Sequence, residues 1–556
     1  MLRINPKSLS LSNSKIISYL TYIFFGAYFI IGIKIYKDYG ITTDEPFQRT
    51  SGYYWYLWII SNFFSDYTNF EFLKINFNKM EWSQGFKNGL FLEYGVIFDL
   101  FAVFIEDIFN LENVYQKKHL LNFLIFFSSS VCFFQLIKYR FKDNFLSFIG
   151  VLFYITSPRV FAESFYNSKD IIFMSFTLFA VFFAVKLLKN YKIKNIILFS
   201  LFAALATDVR TMGIFLILLF VIFFILECLE KNSFLKNNFT LFSLLIFSYF
   251  LFMYLFWPHL WLNPLDNFLA SFQSFKNYSW GGSVLYLGEY VSAQHLPWHY
   301  SLVWIVITLP IIYSLLFVLG SFKISFNFFN NFLNIDPENF SKKLWYSHND
   351  KIDLFILMYF LVPIVAVIAF GSTLYNGWRH LYFIYPALVY ISIFGLKYIL
   401  SFDFFKNFKY FFYSIIFIFI FINFYNLIKF HPYQNVYFNY LVEKKANYLF
   451  EVDYWGSGNA HALKKIIKDA QSNKKINVGT ASFTPLSYSK YIINDKKIEN
   501  INFLGNDQLN NDYIFTNYMY EKDPKISKKY LIPRNYEKVF TLKRGNIIIN
   551  EVFKKK

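Results

Sequence analysis

Two adjacent carboxylates, Asp44 and Glu45, follow the first long apolar stretch of the chain, in the sequence GITTDEPFQRTSG. A carboxylate at a membrane surface can act as a general base, because partial desolvation favours its protonated form. The same residues also fit the start of a helix, with Pro46 in the first turn. The residues alone leave both interpretations open: a catalytic base at the membrane surface, or an exposed helix start.

Further charged side chains occur in three short motifs at the ends of apolar segments: SPRVFAESFYNSKD, ATDVRTMG and NGWRHLYFIYP. Each charge taken alone is ordinary at a membrane interface. Ionisable residues near membrane depth usually line a cavity, however, so together they predict a polar cavity on the side of the acid pair. The candidates in these motifs are Arg159, Glu163, Lys169, Arg210, Arg379 and His380.

A metal site is a second kind of chemistry that the sequence leaves open. His259, His295 and His299 fall in one predicted outer loop, while Glu93 and Asp99 fall in another. No HxH or HExxH spacing supports a metal site, so structural hydrogen bonding is the alternative role for these residues. Binding of a divalent metal therefore stays an open possibility, and no cofactor is required.

Several motifs are absent from the sequence. It contains no GxGxxG after a strand, no GxxxxGK[ST] and no DxD pair, so a cytosolic nucleotide or nucleotide-sugar site has no visible ligand set. The two cysteines, Cys132 and Cys228, lie inside apolar runs and form neither a disulfide framework nor a CxxC metal site. The chemistry is therefore predicted on the outer side of a membrane.

The composition indicates a polytopic membrane protein. Of 556 residues, 56% are hydrophobic and only 16% are charged, which is more apolar side chain than one soluble core can use. The net charge of +18 comes from basic residues between the apolar segments, so it does not indicate nucleic-acid binding.

About eleven apolar runs have the character of membrane helices. Basic residues of the short loops fall on one side of the membrane, which predicts a cytoplasmic N-terminus and an outer region after residue 430. The first run is long enough to remain as an anchor. The predicted runs are 16–36, 120–137, 144–158, 170–188, 195–208, 212–228, 239–257, 302–320, 353–371, 381–397 and 410–428.

Two domains are predicted. Residues 1–430 form a helical membrane domain with outer loops at 37–119 and 258–301, and the first of these loops contains amphipathic helices that lie in the membrane interface. Residues 431–556 form a small α/β domain, because KINVGTA, DYIFTNYM and NIIINEVF read as strands and SGNAHALKKIIKDAQSN as a helix.

The acid pair and the motifs above, with LPWHYSLVWIVITLP and HPYQNVYFNYL…DYWG, resemble bacterial membrane glycosyltransferases of the GT-C superfamily. The resemblance is to the branch of protein O-mannosyltransferases and aminoarabinose transferases, and it covers most of residues 15–460. It implies an α-helical polytopic fold in a bacterial inner membrane and an extracytoplasmic active site. It also implies transfer of a hexose or pentose from a polyprenyl-phosphate donor, with inversion, to a lipid, glycan or protein.

The resemblance implies that Asp44 is the base, with Glu45 beside it. Departure of the lipid phosphate builds negative charge that guanidinium or ammonium groups can stabilise, first Arg379 and Arg210, then Arg159 and Lys169. A secondary transporter of an anionic or lipid-linked substrate is the alternative, although the sequence shows no paired broken helices in two related halves. A non-catalytic scaffold would leave these charges unexplained.

Overall fold

The computed structural model describes residues 6–64, 66–230, 233–276, 280–333, 345, 347–403, 408–470, 475–506 and 510–556. Helices dominate, and a small sheet lies near the C-terminal end. The helices up to residue 256 are α1 (Pro6–Ile35), α2 (Glu45–Phe63), α3 (Phe70–Asn78), α4 (Ser83–Lys87), α5 (Ile97–Ile108), α6 (Val114–Phe141), α7 (Asn144–Ile155), α8 (Pro158–Tyr166), α9 (Asp170–Leu187), α10 (Ile193–Val209), α11 (Ile214–Glu230) and α12 (Phe234–Phe256).

The remaining helices complete the bundle and its outer loops. Short 3₁₀ turns join several of them, including one at Arg379–Ile384 that leads directly into a long helix. These helices are α13 (His259–Leu262), α14 (Pro264–Lys276), α15 (Tyr300–Thr308), α16 (Ile311–Leu333), α17 (His348–Ala369), α18 (Tyr385–Leu400), α19 (Lys409–Phe430), α20 (Ala446–Leu449) and α21 (Asn459–Asp469).

Within the described ranges, nine helices are long and apolar enough to cross a membrane, and the pair α7 and α8, bent by 67°, would make a tenth. The prediction of about eleven spans counted 195–208 as well. The corresponding helix α10 has 17 residues, fewer than the ~20 that cross a bilayer. It nevertheless packs between α9 and α12. The protein is thus a helical polytopic membrane protein.

The predicted span 302–320 is interrupted in the structure. α15 ends at Thr308 and α16 begins at Ile311, because Pro310 has no backbone N–H and its ring obstructs a continuous helix. α16 then continues to Leu333, well beyond the predicted end. The other predicted runs agree with the observed helices to within a few residues.

The first outer loop is folded as helices, as predicted. α2 begins six residues before the predicted stretch SGYYWYLWIISNFF, and α5 lies within EYGVIFDLFAVFIEDIF. α2 packs on α5 and on α3. Aromatic side chains from these helices, including Tyr53, Tyr56 and Phe77, form their own buried cluster. This packing fixes the first turn of α2, where the acid pair lies.

Two ends of the bundle can be distinguished by contacts of α1. Near the start of the apolar span Lys15–Asp38, Ser18 Oγ accepts a hydrogen bond of 3.0 Å from Asn144 Nδ2. At the end of that span, Asp38 Oδ2 lies 2.8 Å from Nε2 of His431, the residue after α19. Residue 431 and the acid pair therefore lie at the same end. We call this end of the bundle the Asp44 end.

A five-stranded sheet follows the last long helix. Its strand order is β4-β3-β5-β7-β6, with β3 parallel to β4 and β5, and β7 antiparallel to β5 and β6. Three strands and α21 were predicted, whereas β4 and β6 were not. The strands are β3 (Ile476–Thr480), β4 (Ile501–Gly505), β5 (Tyr513–Thr516), β6 (Tyr536–Arg544) and β7 (Ile547–Lys555), and a separate hairpin joins β1 (Ser283–Tyr286) to β2 (Glu289–Ser292).

Candidate active site

Asp44 precedes α2, and Pro46 occupies the first turn of that helix. Its carboxylate does not bond the helix start, as an N-cap side chain would. Instead Asp44 Oδ2 accepts a hydrogen bond of 2.8 Å from Arg379 Nη1. The Asp44 side chain is 38% exposed and that of Arg379 only 5%. The accessible member of this ion pair is therefore the carboxylate.

Glu45 points away from Asp44, into the protein, and is fully buried. Its Oε1 accepts hydrogen bonds from Thr42 N at 2.7 Å and Thr42 Oγ1 at 2.9 Å. Its Oε2 lies 2.9 Å from His119 Nε2 on α6. The two neighbouring acids thus differ in position: Asp44 faces a partly open site, while Glu45 ties the start of α2 to the bundle.

Arg210 and a second aspartate, Asp170, extend the ion pair between Asp44 and Arg379. Arg210 pairs with Asp170 Oδ1, and Arg379 Nη1 lies 3.8 Å from Asp170 Oδ2. Asn167 Nδ2 also donates to Asp170 Oδ2, at 3.0 Å. We call Asp44, Asp170, Arg210 and Arg379 the site cluster. It brings residues from four separate sequence regions to the Asp44 end of the bundle.

Aromatic rings hold the Arg379 guanidinium in place. Its carbon lies 4.9 Å from the centre of the Tyr375 ring and 4.6 Å from that of Trp455. Trp455 O in turn accepts hydrogen bonds from Thr43 N at 3.1 Å and Thr43 Oγ1 at 3.2 Å. The segment after α20 therefore reaches the residue next to Asp44. No partner within the described ranges bonds Arg379 Nε.

Glu163 and Arg159 on α8 lie behind the site cluster. Glu163 is buried and accepts hydrogen bonds of 2.7 Å from Asn167 Nδ2 and 2.8 Å from Tyr382 OH. Arg159 Nε donates to Tyr437 O at 2.8 Å, and its guanidinium lies 4.5 Å from the Phe438 ring. Both side chains mainly connect α8 to later segments of the chain.

Lys169 links the site to the first outer loop. Its ammonium donates to Gly95 O at 3.0 Å and lies 5.6 Å from the centre of the Tyr94 ring. Asp208 reaches the same loop, where its Oδ1 accepts a hydrogen bond of 2.9 Å from Ile97 N. Burial, and then the charge of Arg210, lower the pKa of Lys169.

The remaining candidates are dispersed. His380 packs edge-on against Tyr375, with ring centres 4.6 Å apart, and so lies close to Arg379. Glu93 Oε1 accepts a hydrogen bond of 3.1 Å from Ser274 Oγ, and His299 Nδ1 lies 2.6 Å from Tyr286 OH. In the described part of the chain, no group of three or more His, Cys, Asp or Glu side chains could hold a metal ion.

Sequence reasoning missed several residues of this region. Asp170 occurs in a motif that was singled out, yet nothing in the spacing showed that it would bind Arg210. His119 immediately precedes the predicted apolar run 120–137 and is 74 residues from its partner Glu45. Trp455 belongs to the quoted motif DYWG, but its contact with Arg379 depends on the folded arrangement alone.

Residues 100–260 match the family model of dolichyl-phosphate-mannose-protein mannosyltransferases. The match supports a membrane glycosyltransferase of the mannosyltransferase type. It confirms the resemblance to the GT-C superfamily that the motifs indicated. The matched stretch contains Asp170 and Arg210, whereas Asp44 and Arg379 lie outside it. No curated protein matches the sequence at a significant level.

Proposed function

We propose that the protein transfers a sugar from a polyprenyl-phosphate donor to an acceptor hydroxyl or amine, with inversion, and that Asp44 is the general base. One observation supports this most strongly. Asp44 is the accessible carboxylate of a charged cluster whose arginines are mostly buried. A base must reach the substrate, and a guanidinium in a water-poor site stabilises developing charge far better than one in water.

The bond changes follow from this placement. The acceptor oxygen or nitrogen attacks the anomeric carbon of the sugar and gives its proton to the Asp44 carboxylate. The bond from the anomeric carbon to the phosphate oxygen breaks, and the polyprenyl phosphate leaves with the electron pair. Attack opposite the leaving group inverts the anomeric configuration. Arg379 and Arg210 are the guanidinium groups placed to bind that phosphate.

The pairing of Arg379 with Asp44 implies that the donor binds before Asp44 acts as a base. A carboxylate that is bonded to a guanidinium accepts a proton less readily, because protonation breaks a charge-assisted hydrogen bond. The donor is a phosphodiester with one negative charge, and it competes with Asp44 for Arg379. Binding of the donor would then release Asp44 as a base. In this proposal Glu45 is a positioning residue that acts through Thr42 and His119.

We also propose the orientation and the division of the chain. The Asp44 end faces the extracytoplasmic side, the N-terminus is cytoplasmic, and residues 431–556 form an outer domain joined to the membrane domain 1–430. The basic short loops near Lys186 and Lys397 support this, since such loops remain cytoplasmic. A bacterial inner membrane is the proposed location.

The direct test is donor consumption by purified protein in lipid vesicles. Polyprenyl-phosphate mannose and a peptide acceptor are the first substrates to test, because the matched family is described as acting on a dolichyl-phosphate-linked mannose and on protein. Other hexose and pentose donors, with lipid and glycan acceptors, come next. We expect one donor to release polyprenyl phosphate and yield an inverted product. Consumption of no donor, with uptake of a lipid-linked sugar, would favour the transporter.

A further inference from the structure

Residues 450–458, which we call the bridging segment, connect both outer loops at the site. Phe450 forms an antiparallel bridge with Tyr286 of β1. At the other side of the segment, Trp455 O accepts the hydrogen bond from Thr43 N, beside Asp44. The Asp453 carboxylate fixes the turn around Trp455 by accepting hydrogen bonds of 3.0 Å from both Ser457 N and Gly458 N. The bridging segment is therefore a fixed wall of the site.

Glu451 is the unusual residue of this wall. It is 5% exposed, and no side chain within the described ranges hydrogen-bonds its carboxylate oxygens. The carboxylate lies near the backbone amides of Leu285 and Asn376 and feels the charge of Arg379, and burial raises its pKa to about 8. A buried carboxyl with so few partners costs folding free energy, which a purely structural position would avoid.

Asn376 faces the same region from the turn before Arg379. Its backbone adopts the left-handed conformation, with φ of 57°, and Gly377 follows with φ of 73°. Its side-chain Oδ1 is buried and has no hydrogen-bond partner among the described residues. Asn and Gly are the residues that adopt this conformation most readily, so the turn is well suited to its sequence. Here Tyr300 OH accepts a hydrogen bond of 3.2 Å from Gly377 N and holds the turn.

We propose that Glu451 and Asn376 form the subsite that binds hydroxyl groups of the transferred sugar. This inference rests on the proposed function. If Arg379 binds the donor phosphate, the sugar bonded to that phosphate is the substrate group nearest to the residues around Arg379. A carboxyl and a carboxamide oxygen together offer a hydrogen-bond donor and acceptors, which match the alternating character of sugar hydroxyls. The acceptor approaches from the Asp44 side instead.

Burial raises the pKa of Glu451 to about 8, so its carboxyl can donate a hydrogen bond at neutral pH as well as accept one. With the Oδ1 acceptor of Asn376, the subsite offers partners to the hydroxyl groups of a hydroxylated sugar. Site groups that hydrogen-bond a substrate hydroxyl discriminate strongly against analogues that lack it, because the site groups are left unpaired.

The test compares three variants with the wild-type protein. Glu451→Leu removes the hydrogen bonds at similar volume, Glu451→Gln imitates the protonated carboxyl, and Asn376→Gly removes the amide while tolerating the left-handed turn. Glu537→Gln, on the exposed face of β6, is the matched control. The probes are polyprenyl-phosphate mannose, its single-deoxy analogues, and polyprenyl phosphate without sugar.

We expect Glu451→Leu and Asn376→Gly to lower kcat/KM for polyprenyl-phosphate mannose by about 10- to 100-fold, the effect of one lost hydrogen bond to a buried group. Glu451→Gln should recover most of this loss, and binding of sugar-free polyprenyl phosphate should change less than twofold. One deoxy analogue should react more slowly than mannose with the wild type. Glu451→Leu should not slow this analogue further, since both changes remove the same contact.

Two results would overturn the subsite. They are wild-type rates in both Glu451→Leu and Asn376→Gly, or an equal loss of sugar-free polyprenyl-phosphate binding. If Glu451→Leu does not fold, Asn376→Gly and Glu451→Gln carry the comparison. Failure of the proposed function is distinct, because the wild-type protein would then consume no polyprenyl-phosphate sugar at all.

Discussion

Charged side chains meet at both ends of this helical bundle, yet the two groups differ. At the end opposite Asp44, Arg140 donates two hydrogen bonds to the Asp353 carboxylate, and Tyr390 OH donates a third, at 2.6 Å. Lys351 nearby pairs with Glu227 and donates to Leu188 O. We call these residues the far cluster. Its ion-paired side chains are at most 8% exposed.

The site cluster uses the same residue types with fewer contacts. The Asp44 carboxylate is 38% exposed, and Nε of both Arg210 and Arg379 has no hydrogen-bond partner within the described ranges. Closed, buried pairs such as those of the far cluster hold helices together, whereas an exposed carboxylate beside buried guanidinium groups can meet a substrate. The two clusters therefore differ in the completeness of their hydrogen bonding, and in the proposed mechanism this difference leaves Asp44 free to act on a substrate.

The largest expected effect is on transfer when Asp44 is changed to Asn. The amide keeps the shape of the side chain but cannot accept the acceptor's proton, so the transfer rate should fall by roughly 10²–10⁴-fold. Asp353→Asn, the same change in the far cluster, should leave transfer per folded molecule near the wild-type value. Initial rates of polyprenyl-phosphate release in vesicles measure both. Equal losses in the two variants would remove the distinction between the clusters.

The next effect concerns stability. Arg140→Ala leaves the buried Asp353 carboxylate without its guanidinium partner, which should destabilise the protein by about 3–5 kcal/mol. Thermal unfolding in detergent micelles measures this. Arg379→Ala should cost less stability, because the partner Asp44 is partly exposed and can be solvated. A greater loss of stability from Arg379→Ala than from Arg140→Ala would show that the site cluster is the structural one.

Arg379 should contribute more to stabilising the leaving phosphate than to the stability of the fold. Arg379→Ala is expected to weaken transition-state binding by about 2–4 kcal/mol, the usual cost of removing one preorganised hydrogen-bond donor. Arg379→Lys should recover only part of this, since an ammonium cannot give a two-point contact to phosphate. Ratios of kcat/KM give the values. Wild-type ratios in both variants would make Arg379 an interface anchor with no role in transfer.

The smallest effect is predicted for the contact that holds the start of α2. Glu45→Gln and His119→Gln should each reduce kcat by about 3- to 10-fold, and binding of polyprenyl phosphate should stay unchanged. Because both act through the same contact, the double variant should lose little more than either single one. If the losses of the two single variants multiply in the double variant, Glu45 and His119 act independently. A loss in Glu45→Gln as large as that in Asp44→Asn would give Glu45 a direct role in the chemistry.

The helices could be predicted from the sequence, because hydropathy records burial in lipid. The acid pair drew attention because it interrupts a charge-poor region, and its role in catalysis stays a prediction. The helix break at Pro310 could also have been predicted, because this proline lies inside the predicted span 302–320. α10 was harder, since a helix of 17 residues packed inside the bundle has the same apolar character as a full span. The edge strand β4 and the strand β6 lack the strong alternation that identified β7.

Partners in the site could not be predicted from the sequence. Arg379 binds Asp44 across 335 residues of chain, and no periodic pattern records such a contact. Only the family resemblance separated Asp44 from Glu45 at the level of sequence. The different directions of the two side chains could not be predicted, because they depend on how the helix start is placed. Glu451 belongs to no recognisable motif. Only the structure shows that its carboxylate is buried without a side-chain hydrogen-bond partner among the described residues.

The most direct test of the central claim follows single-turnover sugar transfer and donor binding by Asp44→Asn on the same membranes. We predict that this variant binds polyprenyl-phosphate mannose at least as well as the wild type, since Arg379 no longer has a charged competitor, and that transfer falls by at least ~100-fold. Transfer within about threefold of wild type, a change under 1 kcal/mol, would contradict the account and exclude Asp44 as the base.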